Sequence, residues 1–388
     1  LSTGPKNQLT PELRARLHYR IASCLTRRSN FRQALEHLDK AREALPRHLD
    51  KVRLAKIYAR RGHIMLEMGQ YSRAERYLGW AKKLVSGTNE HEELGGIETY
   101  LGMVYARWGR SAEAKQCFLN ALTTYRRVGD RSGEAGALNN LGIQYKNACE
   151  WREAILYLQE ARTLFQRLGH RERLMAAHLN LGIVHWKLGK WELSEENLSA
   201  AERLARELEA RQPLVRVHLA QGNVALRRSQ WDEAERLYKD CETAAGEGGF
   251  ARESILAREF LGELYLARGQ ADEAAEVLAA VLPEARQIAP SGDLVTEVLR
   301  RLAEARLDQG RAQEALELAK ESAAAASREH DRYEESVALR VVGLAMMELG
   351  DREEGERLMQ MSLDSLSEIG ESYQKGRAHF AYGRFLAQ

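Results

Sequence analysis

The stretch from Leu141 to Ala161, LGIQYKNACEWREAILYLQEA, has an earlier counterpart at Leu101, LGMVYARWGRSAEAKQCFLNA, and a later one at Leu181, LGIVHWKLGKWELSEENLSAA, evenly spaced along the chain. A unit this short buries no core alone, so a chain built from it must stack copies on one another. Within the unit, Leu141, Gly142 and Tyr145 are spaced i, i+1, i+4, and Ala154, Leu158 and Ala161 are spaced i, i+4, i+7. Both spacings place their residues on one face of a helix. The unit therefore reads as two helices joined by a turn.

The columns of the repeat say how the helices meet. The turn column is Ser29, Gly69, Gly109, Cys149, Gly189, Ser229, Gly269, Gly310 and Gly350, mostly the residue that enters the left-handed region without steric cost. An aromatic column, Phe31, Tyr71, Trp151, Trp191 and Trp231, follows and is expected to wedge between the two helices. Inside the first helix a small column runs Ala22, Gly62, Gly102, Gly142, Gly182, Gly222, Gly262, Ala303, Gly343 and Gly383. Interior Gly costs a helix about 1 kcal/mol against Ala. Its recurrence in register implies that another helix approaches closely there. The second helix has its own small column, Ala34, Ala74, Ala114, Ala154, Ser194, Ala234, Ala274, Ala315 and Gly355, so each pair is expected to pack tightly and antiparallel.

The pattern L-G-x-x-Y, a small turn residue, then A-x-x-x-F/L-x-x-A resembles the tetratricopeptide repeat. The resemblance runs from about Leu17 to the end of the chain. Two departures stand out: the period is 40, longer than the family's 34, which lengthens each helix by nearly a turn, and the family's closing proline is matched only by Pro46. The longer unit is similar to repeats of kinesin light chains, of Rap-type peptide-regulated proteins and of the sensor regions of bacterial transcription regulators. The resemblance implies an all-α fold, a right-handed α-solenoid (superhelix) of about nine and a half helix-turn-helix repeats.

The expected organisation is a disordered lead over residues 1–10 and one superhelical domain over 11–388. Its repeats centre near 14–50, 51–90, 91–130, 131–170, 171–210, 211–250, 251–291, 292–331 and 332–371, with a half repeat at 372–388. Thr10-Pro11-Glu12 reads as an N-cap with Pro at the first helical position, and Pro46 is expected to break the second helix. One extra residue enters at Ala289-Pro290-Ser291-Gly292, where the offset becomes 41. The missing initiator Met and the unpaired last helix suggest a segment of a longer polypeptide; the alternative is that the last helix serves as a cap.

Several function classes find no support. There is no P-loop, G-x-G-x-x-G, H-E-x-x-H, G-x-S-x-G or Cys-x-x-Cys, so no catalysis, cofactor or metal is expected. The four cysteines, Cys24, Cys117, Cys149 and Cys241, fall in four different columns, which suits a reducing cytoplasm better than a disulfide framework. No apolar run approaches a membrane span. The net charge of +2 hides an asymmetry: residues 1–200 hold 33 Lys and Arg against 21 Asp and Glu, leaving 25 against 35 for the rest. A basic first half keeps nucleic-acid scaffolding as a minor reading, although no recognition helix or RNA motif is present.

In arrays that this chain resembles, the first helix of each repeat lines the concave groove, and three of its columns carry the candidate site. Asn140 and Asn180, just before the L-G, offer both a donor and an acceptor for the amides of an extended peptide, an arrangement resembling the asparagine ladders of kinesin-light-chain-like repeats. The alternative is that they bond only to neighbouring helices. Arg107, Asn147, Lys187 and Arg227 form a second column and Asn223 belongs to a third; the cations would take carboxylates, unless they are merely solvated or paired with nearby Glu. Tyr100 and Trp186 add flat apolar surface, and Glu263 and Glu304 would make the C-terminal groove acidic, a place for a basic or intramolecular partner domain.

The implied function is a non-enzymatic protein-interaction module that docks an extended, acidic peptide segment, the scaffold or sensor part of a bacterial signalling or transcription regulator. The alternative is a small-molecule or short-peptide sensor that controls an attached effector.

Overall fold

The computed structural model describes residues 10–45, 51–288, 292–370 and 372–386. The lead over residues 1–9, the break at Pro46 and the insertion at Pro290-Ser291 lie outside the described residues. Backbone contacts divide the chain into two compact units, residues 1–144 and 145–388.

Every described element is an α-helix. The first unit contains α1 (Pro11–Arg27), α2 (Phe31–Ala44), α3 (Lys51–Glu67), α4 (Tyr71–Val85), α5 (His91–Arg107), α6 (Ser111–Val128) and most of α7 (Arg131–Asn147). The second holds α8 (Trp151–Leu168), α9 (Arg171–Lys187), α10 (Trp191–Glu207), α11 (Arg211–Arg227), α12 (Trp231–Gly248) and α13 (Ala251–Ala267). It continues with α14 (Ala271–Ile288), α15 (Asp293–Asp308), α16 (Ala312–Arg328), α17 (Arg332–Glu348), α18 (Arg352–Ile369) and α19 (Ser372–Leu386). Consecutive helices pair as hairpins that stack as a solenoid within each unit.

All nine residues of the turn column adopt positive φ, from 56° at Ser29 to 93° at Gly350. Ser29, Cys149 and Ser229 do so despite carrying a Cβ, which costs an L-residue about 1–2 kcal/mol. Changing Ser229, exposed at φ 59°, to Gly is therefore expected to raise stability by about 1 kcal/mol in denaturant unfolding. A loss would show that the Ser229 side chain supports the turn.

The glycine column faces large residues as well as the small column opposite. A Cβ on Gly62, Gly182 or Gly262 would meet Leu78, Leu198 or Leu278 at 2.6 Å, and one on Gly102 would meet Phe118. Each glycine is thus a hole that receives a knob from the facing helix of its own hairpin. The small columns still touch: Ser194 Oγ donates to the Gly182 carbonyl at 2.8 Å, backbone nearly against side-chain root.

The aromatic column departs from the expected wedge. Trp151 is buried, but Trp231 is 38% exposed and Tyr71 tilts onto Trp108 beside the turn. These rings open the second helix, where side chains lean back over the preceding turn and away from the pair's seam. Thr10 does cap α1, accepting from Leu13 N at 3.3 Å, with Pro11 at the first position.

First helices also pack on the first helix of the next repeat, as α9 on α11, α11 on α13, α13 on α15 and α15 on α17. Among the described residues no second helix comes this close to the next. One face of each unit is therefore tiled by first helices alone, and the candidate columns lie on those helices.

Candidate functional site: a cavity lined by first helices of the second unit

Four of the candidate residues, Trp186, Lys187, Asn223 and Arg227, line one cavity of about 460 Å³ in the second unit. Leu179 and Ile183 of α9 stand beside Trp186 and Lys187; α11 adds Arg216 and Leu219; α13, α15 and α17 contribute Phe260, Glu263, Glu297, Arg301 and Tyr333. The remaining candidates are elsewhere. Asn180 is buried farther back on α9 and does not line the cavity, and Asn147 is exposed at the end of α7. Tyr100, Arg107 and Asn140 belong to the first unit. There Tyr100 stacks on His63 at 4.6 Å between centroids, and Arg107 pairs with Glu67 at 3.4 Å.

The cavity exists because the second unit curls back on itself. Lys187 Nζ lies 4.0 Å from the centre of the Tyr333 ring, and the Arg227 guanidinium carbon lies 4.0 Å from that of Tyr373. The two contacts are the same contact one repeat apart, since Lys187 and Arg227 share one column of the unit and Tyr333 and Tyr373 share another. Behind them Cys149, Trp151, Leu181 and Val184 share an apolar cluster with Tyr333, Val337, Leu366 and Ile369. The ends of α9 and α11 thus meet the starts of α17 and α19 in register. No local pattern announces this, because several whole repeats of chain separate the partners; the only signal is that two tyrosines share a column.

Trp186 lies between the two cations, with Lys187 Nζ 4.6 Å and the Arg227 guanidinium carbon 5.6 Å from its ring. Its ring nitrogen Nε1 is buried and makes no hydrogen bond, although the residue is only 8% exposed. Arg227, its side chain 4% exposed, donates through Nη2 to Glu263 at 2.8 Å, while Nη1 is buried and unbonded. Asn223 accepts from the Tyr238 hydroxyl at 2.7 Å, which leaves its amide N–H groups as the available half. Buried donors without acceptors are uncommon. Here two of them border one cavity.

Along the cavity wall and behind it the supposed acidic groove is corrected. Glu263 and Glu304 are locked into a buried lattice of five carboxylates and five guanidiniums. Glu259, Glu263 and Glu297 surround Arg301, with Glu263 shared by Arg227. Glu304 bonds Arg300, Arg340 and Arg377, and Arg300 reaches on to Glu334 at 2.7 Å. The first group has three acids to two bases. Burial raises the pKa of Glu259, and Glu297 beside it raises it further, more than Arg301 offsets. Burial also works against ionised Glu263, yet Arg227 and Arg301 hold it well below the usual carboxylate range. The second group has three bases to two acids, and there burial lowers Arg340 to about 10 despite Glu304.

Burial, with Arg216 and Lys187 nearby, lowers Lys146 to about 8. Asp331, which caps α17 by accepting from Glu334 N at 3.0 Å, is pushed up to about 7 by burial and then by Glu334. A folded-state pKa above the unfolded 3.8 means that Asp331's contribution is present below about pH 4 and lost as pH rises through 7. Asp331→Asn keeps the cap. It is expected to stabilise the protein at pH 8 by more than about 1 kcal/mol and to be neutral near pH 3.5. Equal effects at both pH values would refute this assignment.

Residues 94–167 and 173–247 match the tetratricopeptide repeat model. Those two segments are tetratricopeptide repeats. Comparison with curated proteins gives no sequence match. Among solved structures, the array is similar to a Rap protein complexed with competence and sporulation factor, at 14% identity and TM-score 0.70 over 92% of this chain and 98% of that one. It is also similar to the Rap conjugation gene regulator of the plasmid pLS20 in complex with the Phr* peptide, at 12% identity and TM-score 0.61 over 92% and 95%. Aspartyl phosphate phosphatase F from Bacillus subtilis shares the fold too, at 14% identity and TM-score 0.56 over 96% and 97%. At these identities the likeness is one of fold. Among the described residues no helix is long and apolar enough to cross a membrane.

Proposed function

We propose that this tetratricopeptide array is a non-enzymatic interaction module that takes an extended, acidic peptide segment into the second unit's cavity. The observation that carries the reading is the meeting of Lys187, Arg216, Arg227, Trp186 Nε1 and the Asn223 amide on one surface, a set of donors and cations suited to carboxylates and peptide carbonyls. Two fold neighbours whose structures hold a peptide or factor support a peptide as the ligand class. Against catalysis, the carboxylates Glu263 and Glu297 are engaged by Arg301, and burial pushes the Cys149 and Cys241 thiols up to about 12. We assign the module to the cytoplasm, in keeping with four free cysteines, and to the sensor or scaffold part of a bacterial regulator.

The test is the binding of fluorescein-labelled hexaglutamate and hexaglutamine peptides by anisotropy. Hexaglutamate alone is expected to bind, and Lys187→Met to weaken it about tenfold or more, the loss of one charge-assisted contact. Equal binding of the neutral peptide, or indifference to Lys187→Met, would overturn the reading. The cavity's size, about 460 Å³, favours the second reading of a small-molecule sensor. That reading predicts a melting shift with low-molecular-weight carboxylates and none with peptides.

A further inference from the structure

The last described helix touches the cavity lining at one residue, Arg227, over which the Tyr373 ring lies. α19 is fixed to its neighbours by a small apolar contact, Ala378 with Tyr382 and Phe385 against Met347, Met359 and Leu363. Its other attachments reach inward: Arg377 to Glu304 at 3.0 Å, and the Tyr373 ring over Arg227. The opposite side of the helix leaves Phe380 69% exposed. One of the contacts that hold α19 in place is therefore made to the binding surface itself.

Arg227 shows what the tyrosine displaces. A guanidinium is built to form two parallel bonds to a carboxylate, but here Nη2 goes to Glu263 and Nη1 is buried without an acceptor, while the guanidinium carbon lies over the Tyr373 ring. The Trp186 indole N–H is in the same position, buried without an acceptor on a cavity-lining residue. A ring face attracts a cation but supplies no lone pair. A carboxylate placed between Nη1 and the indole N–H would satisfy both donors. The Tyr373 ring, 4.0 Å from the same guanidinium carbon, stands beside that place.

We infer that Arg227 and Trp186 form a carboxylate subsite and that Tyr373 of α19 plugs it, so that a carboxylate ligand enters by displacing the ring and releasing α19. Lys187 under Tyr333 is the neighbouring rung, held more firmly because Tyr333 also belongs to the apolar cluster with Val184 and Val337. Release therefore begins at Tyr373. The inference rests on the peptide reading above and adds to it the anchoring residues, the ligand group they take and the segment that moves.

The experiment uses the whole chain, hexaglutamate with hexaglutamine as control, and two readouts, calorimetric affinity and hydrogen exchange of the α19 amides. Tyr373→Ala is expected to bind hexaglutamate about tenfold more tightly than the wild type, whereas Tyr373→Phe, which keeps the ring face, tracks the wild type. Adding hexaglutamate to the wild type is expected to speed exchange in α19 while slowing it in α9 and α11. Equal affinity of the Ala and Phe variants, or slower exchange in α19 on binding, overturns the plug and leaves the peptide reading standing. Failure of every variant to bind hexaglutamate overturns both.

Discussion

Replacing Arg301 with methionine is expected to cost the protein about 3–5 kcal/mol at neutral pH, the largest loss foreseen for any single substitution here. The guanidinium is buried and bonds Glu259, Glu263 and Glu297 together. Without it Glu259 and Glu297 lose their bonded guanidinium and Glu263 keeps only Arg227. The penalty arises from the carboxylates left behind, so it depends on their ionisation. Glu263 has a depressed pKa in the folded state, and its contribution is present above the unfolded value of 4.5 and lost as pH falls through the folded one. The difference between wild type and Arg301→Met should therefore be largest at pH 7 and narrow toward pH 3.5. Urea unfolding at the two pH values measures it. A loss below about 1 kcal/mol at pH 7 would mean that the lattice is far better hydrated than its burial implies.

The second large effect is at Gly343, whose change to Ala is expected to cost about 3 kcal/mol, the upper end of overpacking penalties. A Cβ there would lie 2.7 Å from the Gly355 carbonyl oxygen and 3.2 Å from the Met359 nitrogen, both backbone atoms of the facing helix α18. At Gly62 the obstacle is the Leu78 side chain, which can rotate, so Gly62→Ala should cost less. Gly79, mid-helix in α4 with nothing within 4 Å of the added atom, is the control. Gly79→Ala should stabilise by up to about 1 kcal/mol through helix propensity. Thermal melts of the three variants should rank Gly79 above Gly62 and Gly62 above Gly343. Wild-type stability for Gly343→Ala would show that α17 and α18 separate readily, and would remove the packing reason for the glycine column.

The site was legible only in part. Lys187, Asn223 and Arg227 were singled out from their columns on the first helix and Trp186 for its flat apolar surface, and all four line the cavity. The expectation that Glu263 and Glu304 form an acidic surface failed because their partners, Arg301, Arg300, Arg340 and Arg377, come largely from other repeats and cancel them. A column lists like positions in successive repeats. It does not show which unlike positions meet across the stack.

By itself the sequence determined the helices, the turns and the tight pairs. A left-handed turn residue in every unit, a glycine hole and the knob that fills it from the facing helix all act within one hairpin, and local geometry leaves them few alternatives. Only the tertiary structure decided which side chains meet on the inner face of the second unit. Tyr333 over Lys187, Tyr373 over Arg227 and the buried ion lattice depend on the small rotation between successive repeats, accumulated along the stack. That rotation is set by packing between neighbouring hairpins and not by any one segment, so residues as distant in the chain as Lys187 and Tyr333 become partners without a local pattern to foretell it.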